Sequence, residues 1–194
     1  MTFDGSDYDN NKYEFTLYNI EKAYPRSGPS DGKGGDITVS GQGFRKEAGK
    51  VEPKCRFNGT IYDPVSVTWS AITCPMPAAE AGASYYGNVD LAVTANGADW
   101  HEFTGGFQYY QQPIVHDISP KRGPGRGMGI INFYGEGFRA DYQLASLSCK
   151  VGNSIGYAAF VSTKLVRCVV EDMEAAPEGE FLVASMSLNN ASWT

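Results

Sequence analysis

The sequence is poor in charged residues and has no long apolar run. Charged residues make up 20% of the 194 residues, below the roughly 25% of an average soluble domain. No stretch approaches the ~20 apolar residues of a transmembrane helix, so membrane insertion is not expected. The net charge of −6 argues against nucleic-acid binding, which needs a basic face to neutralise phosphates. The opening MTFDGSDYDNN lacks the basic and apolar regions of a signal peptide, which indicates a mature form or a start within a longer protein.

The motifs of common enzymes and metal sites are also absent. There is no GxSxG elbow or HExxH motif, and no Ser or Cys is placed beside a His. The two histidines, His101 and His116, match no zinc-ligand spacing, and there is no CxxC. Asp4, Asp7 and Asp9 lack the order and closing Glu of an EF-hand, so a solvated acidic tail is favoured over a calcium site. We therefore predict no enzyme activity and no cofactor.

A glycine-rich segment superficially resembles a phosphate-binding loop. Residues 123–129, GPGRGMG, lead into the strand-like residues 130–134, whereas a phosphate loop leads into a helix. A solvated loop is therefore the favoured interpretation. The nearby cations Lys121, Arg122 and Arg126 leave an anionic partner as the alternative.

The chain contains an internal repeat. The segment SGQGFR at residues 40–45 recurs as YGEGFR at residues 134–139, an offset of 94 residues. Three further markers recur at offsets of 94, 94 and 93, namely Cys55 and Cys149, Cys74 and Cys168, and Trp100 and Trp193. Several markers with one period predict a duplicated domain of about 94 residues.

Each unit of the repeat has the pattern of β-strands. Short apolar segments precede both Gly-x-Gly-Phe motifs, and residues 65–69 and 89–94 alternate in polarity, as half-buried strands do. Asn58-Gly59 is a hairpin dipeptide because both residues tolerate positive φ. Strands every 8–12 residues in a unit of about 95 residues predict a β-sandwich of immunoglobulin size.

Together these motifs resemble the IPT/TIG domain of plexins, other cell-surface proteins and some transcription factors. Unit 1 carries IEKAYP at 20–25, GGDITVSGQGF at 34–44, CRFNG at 55–59 and ITCPMP at 72–77. Unit 2 carries IVHDISP at 114–120, GEGF at 135–138, CKVG at 149–152 and VRC at 166–168. The resemblance implies an all-β fold of two tandem early-set immunoglobulin-like β-sandwiches, at 19–111 and 112–194, after a tail and candidate donor strand at 1–18. The fold alone implies no activity.

The four cysteines occupy equivalent positions in the two units, which is the even count of a disulfide framework. One bridge in each unit is the economical pairing, and the resemblance implies the same bridges, Cys55–Cys74 and Cys149–Cys168. Buried free thiols are the alternative. Disulfides would place the protein outside the cytosol.

Two sequons lie in predicted turns, at Asn58 and Asn190. In a secreted eukaryotic protein both would be acceptors for N-linked glycans, and chance occurrence is the alternative. Trp69, Trp100 and Trp193 could form a carbohydrate-binding surface. Most of the aromatic residues are better assigned to the sandwich cores.

The repeat is out of phase with the chain. Unit 1 continues past Trp100 to FQYY at 107–110, its expected last strand, strand G, whereas no equivalent follows Trp193 in unit 2. The segment YEFTLY at 13–18 resembles FQYY and lies just before unit 1. It cannot reach unit 2 of its own chain, because too few residues connect it to a unit roughly 25 Å long. We expect it to serve another subunit or a preceding domain.

The leading hypothesis is a non-enzymatic structural subunit of an extracellular filament. Each subunit would insert its N-terminal strand into the open second sandwich of its neighbour, and repetition of that contact makes a fibre. Tyr13, Phe15 and Leu17 would face the open core because alternate residues share a face. The predicted partners are further copies of the chain and N-linked glycans, without nucleic acid. The alternative is a two-domain fragment of a larger cell-surface receptor or adhesin, or a carbohydrate-binding module.

Overall fold

A computed structural model of the chain describes residues 15–45, 52–79, 87–139, 147–173 and 180–194. Within these ranges every regular element is a β-strand, and they contain no helix. The predicted all-β class with two tandem sandwiches is confirmed.

Unit 1 is built from eleven short strands. They are β1 (Asn19–Tyr24), β2 (Ser27–Pro29), β3 (Ile37–Gln42), β4 (Lys54–Phe57), β5 (Thr60–Tyr62), β6 (Ser66–Val67), β7 (Ala71–Cys74), β8 (Gly87–Val89), β9 (Leu91–Thr94), β10 (Trp100–Glu102) and β11 (Phe107–Tyr110). They form three sheets with the strand orders β1-β3-β7-β6, β10-β9-β4-β5 and β2-β11-β8. The three sheets enclose one apolar core.

Unit 2 is built from longer strands in a single sheet. They are β12 (Ile114–Ser119), β13 (Gly127–Glu136), β14 (Ser148–Val151), β15 (Ser154–Ser162), β16 (Leu165–Met173) and β17 (Ala184–Ser187). Their order is β12-β13-β16-β15-β14-β17, and an isolated bridge joins Ser187 to Trp193. They enclose a second, separate core.

Local sequence explains several of these elements. β3 alternates buried and exposed residues, as its sequence pattern predicts. Asn58 and Gly59 join β4 to β5 with φ of 46° and 80°, the two positive values of a type I′ hairpin. The predicted turn is therefore present.

The expected alternation at residues 89–94 is wrong, because all four residues of β9 are buried. On the face away from the core, Ala92 pairs with Arg56 of β4 on one side and with Glu102 of β10 on the other. These two long side chains form an ion pair of 2.8 Å. The pair joins the two strands that flank the small Ala92, which explains how both faces of β9 are covered.

Both predicted disulfides are present in the structure. Cys55 of β4 is joined to Cys74 of β7, and Cys149 of β14 to Cys168 of β16. All four residues are fully buried members of the two cores. In unit 1 the bridge connects two different sheets, so it links the two sides of the sandwich.

Candidate assembly site

In unit 1 the last strand, β11, is held on both sides. It pairs in parallel with β2 and antiparallel with β8. Its residues Phe107 and Tyr109 are almost completely buried in the core of unit 1. Phe107 packs edge-on against Phe57 of β4 with ring centroids 5.8 Å apart, and the Tyr109 hydroxyl donates to the Pro77 carbonyl at 2.8 Å. β11 therefore closes the sandwich with both its backbone and its side chains.

At the equivalent place in unit 2, the described residues contain no strand. A groove of about 760 Å³ lies between residues 118–131 and 180–184. We call it the acceptor groove. Its floor reaches the core residues Val151 and Met173, and its rim carries exposed Met128, Phe181 and Leu182. Phe181 is 98% exposed, which is an unusual position for a large aromatic side chain.

Sequence alignment of the two units identifies the walls of this groove. Ser27-Gly28-Pro29 of β2 corresponds to Arg122-Gly123-Pro124, and β8 corresponds to residues 180–182, just before β17. In unit 1 these two segments hold β11 between them. The acceptor groove is thus the vacant place of a strand G, rather than a surface cleft unrelated to the fold.

The predicted donor residues lie on unit 1 and face solvent. Phe15 is 87% exposed and Leu17 79% exposed, while Tyr13 lies outside the described residues. Residues 15–18 are not in a strand in this single chain. Tyr18 packs against the core of unit 1, and the Leu17 carbonyl lies against the turn at Gly43. Tyr18 therefore fixes the point at which the segment leaves unit 1.

The junction between the two units is polar and buried. The Asn189 side chain donates to the Ser27 carbonyl at 2.7 Å, and the Ser192 hydroxyl donates to the Gly34 carbonyl at 2.8 Å. The Tyr24 hydroxyl donates to the Asn189 carbonyl at 3.0 Å. Sequence reasoning missed this junction, although the alignment of residues 95–100 with 188–193 marked the turn that forms it.

Tyr110 closes the other side of the junction. It is the last residue of β11, and its ring is buried in the core of unit 2 instead of unit 1. Burial raises the pKa of its hydroxyl to about 12. Consecutive residues of β11 thus serve both cores, and this binds unit 1 closely to unit 2.

The tryptophans are not core residues, which corrects the expectation from sequence. Trp69 is 54% exposed, Trp100 and Trp193 are half-buried, and none belongs to either core. Each indole instead carries a cation over its ring, at 5.4 Å for Arg45 on Trp69, 4.7 Å for Arg56 on Trp100 and 4.6 Å for Lys150 on Trp193. Such cation–π contacts keep a large ring favourable at a surface.

The two sequon asparagines are exposed. Asn58 lies in the β4–β5 hairpin, while Asn190 follows the junction residue Asn189 with a φ of 56°. The Asn190 side chain accepts a hydrogen bond from Ser148 at 3.1 Å, and its sequon partner Ser192 is buried in the junction. The Asn58 sequon is thus the more open of the two.

The described ranges hold no grouped set of metal ligands, since no three His, Cys, Asp or Glu residues come together within them. Nor do those ranges hold a helix of the length and apolarity needed to cross a membrane. The acidic residues Asp4, Asp7 and Asp9 lie outside them.

The geometry defines a tandem immunoglobulin-like protein with one complete and one open sandwich. The family model of the IPT/TIG domain matches residues 19–109 and 113–192. The chain therefore belongs to the IPT/TIG family, as two tandem copies of the domain. Domains of this family are typically non-enzymatic.

Solved structures of plexin A4 have a similar fold. A structure of its full extracellular region, domains 1 to 10, matches 92% of this chain with a TM-score of 0.50 and 16% identity. A second structure of that region, covering domains 1 to 8, matches 91% with a TM-score of 0.44 and 17% identity. The chain spans only 15% and 17% of the lengths of these plexin chains. Curated protein sequences yielded no match.

Proposed function

We propose that this protein is a non-enzymatic structural subunit of an extracellular filament. Residues 13–17 of one copy fill the acceptor groove of the next copy and complete its second sandwich. The observation that carries this proposal is the acceptor groove itself, an open strand-G position about 760 Å³ in volume with Phe181 exposed on its rim. Strand addition of this kind gives affinity through the backbone ladder and specificity through alternate side chains.

The strand that closes unit 1 indicates what the groove needs. β11 buries two large side chains two residues apart, Phe107 and Tyr109. Phe15 and Leu17 have the same spacing and are exposed in the free chain. Burying two such side chains contributes roughly 3–6 kcal/mol before the cost of ordering the segment. Val151, Met173 and Leu182 are the apolar groove residues available to them.

The proposed occupant is a second copy of the chain. Tyr18 is anchored on unit 1, and the five residues before it span less than about 18 Å even when fully extended. That is shorter than a sandwich, which is roughly 25 Å along its strands. The segment therefore cannot fill the groove of its own unit 2, and repetition between copies produces a linear fibre.

Other features of the chain are compatible with an extracellular filament. Two disulfides are typical of proteins outside the cytosol. The buried polar junction and the short linker Gln111-Gln112-Pro113 favour a stiff rod. We further propose that Asn58 carries an N-linked glycan, because its turn is exposed, and that Asn190 is a second acceptor.

Deletion of residues 1–18 tests the proposal directly. Electron microscopy and sedimentation of the purified chain should show filaments for the intact protein and single subunits for the deletion. Phe15→Asp should raise the concentration needed for assembly at least tenfold, because it places a charge in an apolar groove. Thr16→Asp is the matched control: it makes the same change on the opposite face of the strand and should assemble nearly as well as the intact chain.

The outcome also separates the second candidate, a two-domain part of a larger cell-surface receptor. That candidate is favoured by the plexin-like fold over 92% of the chain. It requires that a segment following unit 2 in a longer chain fills the groove. Filaments that persist after deletion of residues 1–18, or an intact chain that stays monomeric at all concentrations, would contradict strand donation.

A further inference from the structure

Both units end in the same asparagine-centred turn. In unit 1 the Asn96 side-chain oxygen accepts the N–H groups of Ala98 at 3.0 Å and Asp99 at 2.9 Å. In unit 2 the Asn189 oxygen accepts those of Ala191 at 3.0 Å and Ser192 at 2.7 Å. We call residues 96–99 the Asn96 turn and residues 189–192 the Asn189 turn. Their matching hydrogen bonds give them one backbone shape.

The Asn189 turn is the part of unit 2 that docks on unit 1. Its asparagine donates to the carbonyl of Ser27 in β2, and Ser192 donates to the carbonyl of Gly34. All groups in this contact are uncharged. The Asn96 turn, in contrast, is at the surface of unit 1, and its Asp99 is exposed.

The surface on which the Asn189 turn docks also recurs in unit 2. Pro25-Arg26-Ser27-Gly28-Pro29 corresponds to Pro120-Lys121-Arg122-Gly123-Pro124. We call residues 121–126 the basic loop, because it carries Lys121, Arg122 and Arg126, all exposed. Lys121 pairs with Asp117 at 2.7 Å, while Arg122 and Arg126 form no ion pair within the part of the chain that the structure describes. The basic loop also lines the acceptor groove.

The two exposed surfaces have opposite charges. Asp99 stands where the docked turn has Ser192, and Arg122 stands where the docking surface has Ser27. The contact inside the chain is held by covalent connection and needs no long-range attraction. A contact between copies has to form by diffusion, and opposite charges accelerate and orient such encounters.

We infer that the Asn96 turn of one copy docks on the basic loop of the next, with Asp99 facing Arg122 and Arg126. This inference rests on the proposed strand donation, since a donor strand in the acceptor groove places unit 1 of the donor beside unit 2 of the acceptor. The junction between copies then repeats the junction within the chain, so that all the domains of the filament are joined alike. The uncharged pair of the internal junction is replaced by a charged pair.

Several groups surround Asp99 in the free subunit. The Asn96 amide donates to its carboxylate at 2.8 Å. Asp99 also helps to raise the pKa of the Tyr18 hydroxyl, after the larger effect of burial. Neither group neutralises the carboxylate, so its charge is available to a neighbouring copy.

Charge reversal tests the inference in the full-length chain. Asp99→Lys alone, and Arg122→Glu with Arg126→Glu, should each slow filament elongation about tenfold or more, since like charges then meet at the junction. Combining all three substitutions should restore elongation to within a few-fold of the unmodified chain. Asp90→Lys is the matched control, because it makes the same charge change at the opposite end of β9 and should have little effect. Elongation of the unmodified chain should also slow as salt is raised.

The results distinguish this contact from strand donation. If Asp99→Lys elongates as fast as Asp90→Lys, or if the combined variant stays slow, the charged junction is wrong. Loss of filaments on deletion of residues 1–18 would still support strand donation in that case. If the deletion leaves assembly intact, strand donation fails, whatever the charge variants do.

Discussion

At the scale of single residues, the repeated Gly-x-Gly-Phe motif has a distinct physical reason at each position. A side chain at Gly41 would lie 2.0 Å from the Asn19 carbonyl oxygen of the paired strand β1, so only glycine fits. Gly43 has a φ of 81°, which residues with side chains rarely adopt. Phe44 is then buried in the core. Gly135, Gly137 and Phe138 repeat these features in unit 2.

Replacement of Gly41 by alanine should destabilise unit 1 by about 2–4 kcal/mol, because the obstructing atom is backbone and cannot rotate away. Guanidinium unfolding of the purified chain measures this loss. Gly87→Ala, in β8 of the same unit, is the matched control, since the added carbon meets nothing within 4 Å. It should change stability by no more than about 0.5 kcal/mol. Equal losses for the two variants would show that the tight contact at Gly41 is not what requires glycine.

At the scale of elements, the disulfides hold the strands of each sandwich together. Each bridge joins residues separated by 19 positions, a loop length worth roughly 3 kcal/mol in the chain-entropy account. Replacing Cys55 and Cys74 together by alanine should lower the stability of unit 1 by about that amount. The Cys149 and Cys168 pair should have a comparable effect on unit 2. Peptide mapping without reductant should recover these two linkages, and alkylation of thiols in the native protein would contradict them.

At the scale of the whole molecule, the junction between the units depends on one buried asparagine. Asn189→Ala removes the bonds within its turn and also the bond to Ser27 of unit 1. Asn96→Ala removes the same bonds within its turn but none between units. We therefore expect Asn189→Ala to cost about 1–3 kcal/mol more, and small-angle scattering of dilute subunits should show a wider range of shapes for it alone. Equal behaviour of the two variants would argue that the junction does not depend on Asn189.

The sequence by itself determined the duplication, the fold family and the pairing of the cysteines. These follow from local or repeated signals: a glycine that must avoid a neighbouring carbonyl, an Asn-Gly turn, and markers that return after 94 residues. Such signals are readable because each depends on a few adjacent residues. Comparison of the two copies also revealed that unit 2 lacks the counterpart of β11.

Only the tertiary structure decided where the surfaces lie. Trp69, Trp100 and Trp193 sit under cations at the surface instead of in the cores, and β9 is covered on both faces by an ion pair between its neighbours. The acceptor groove combines Val151, Met173 and Leu182, which are far apart along the chain. Burial depends on which strands become neighbours, and that is set by pairings between distant segments. One chain's sequence can predict that a strand is missing, but only the fold determines which apolar side chains its absence leaves exposed.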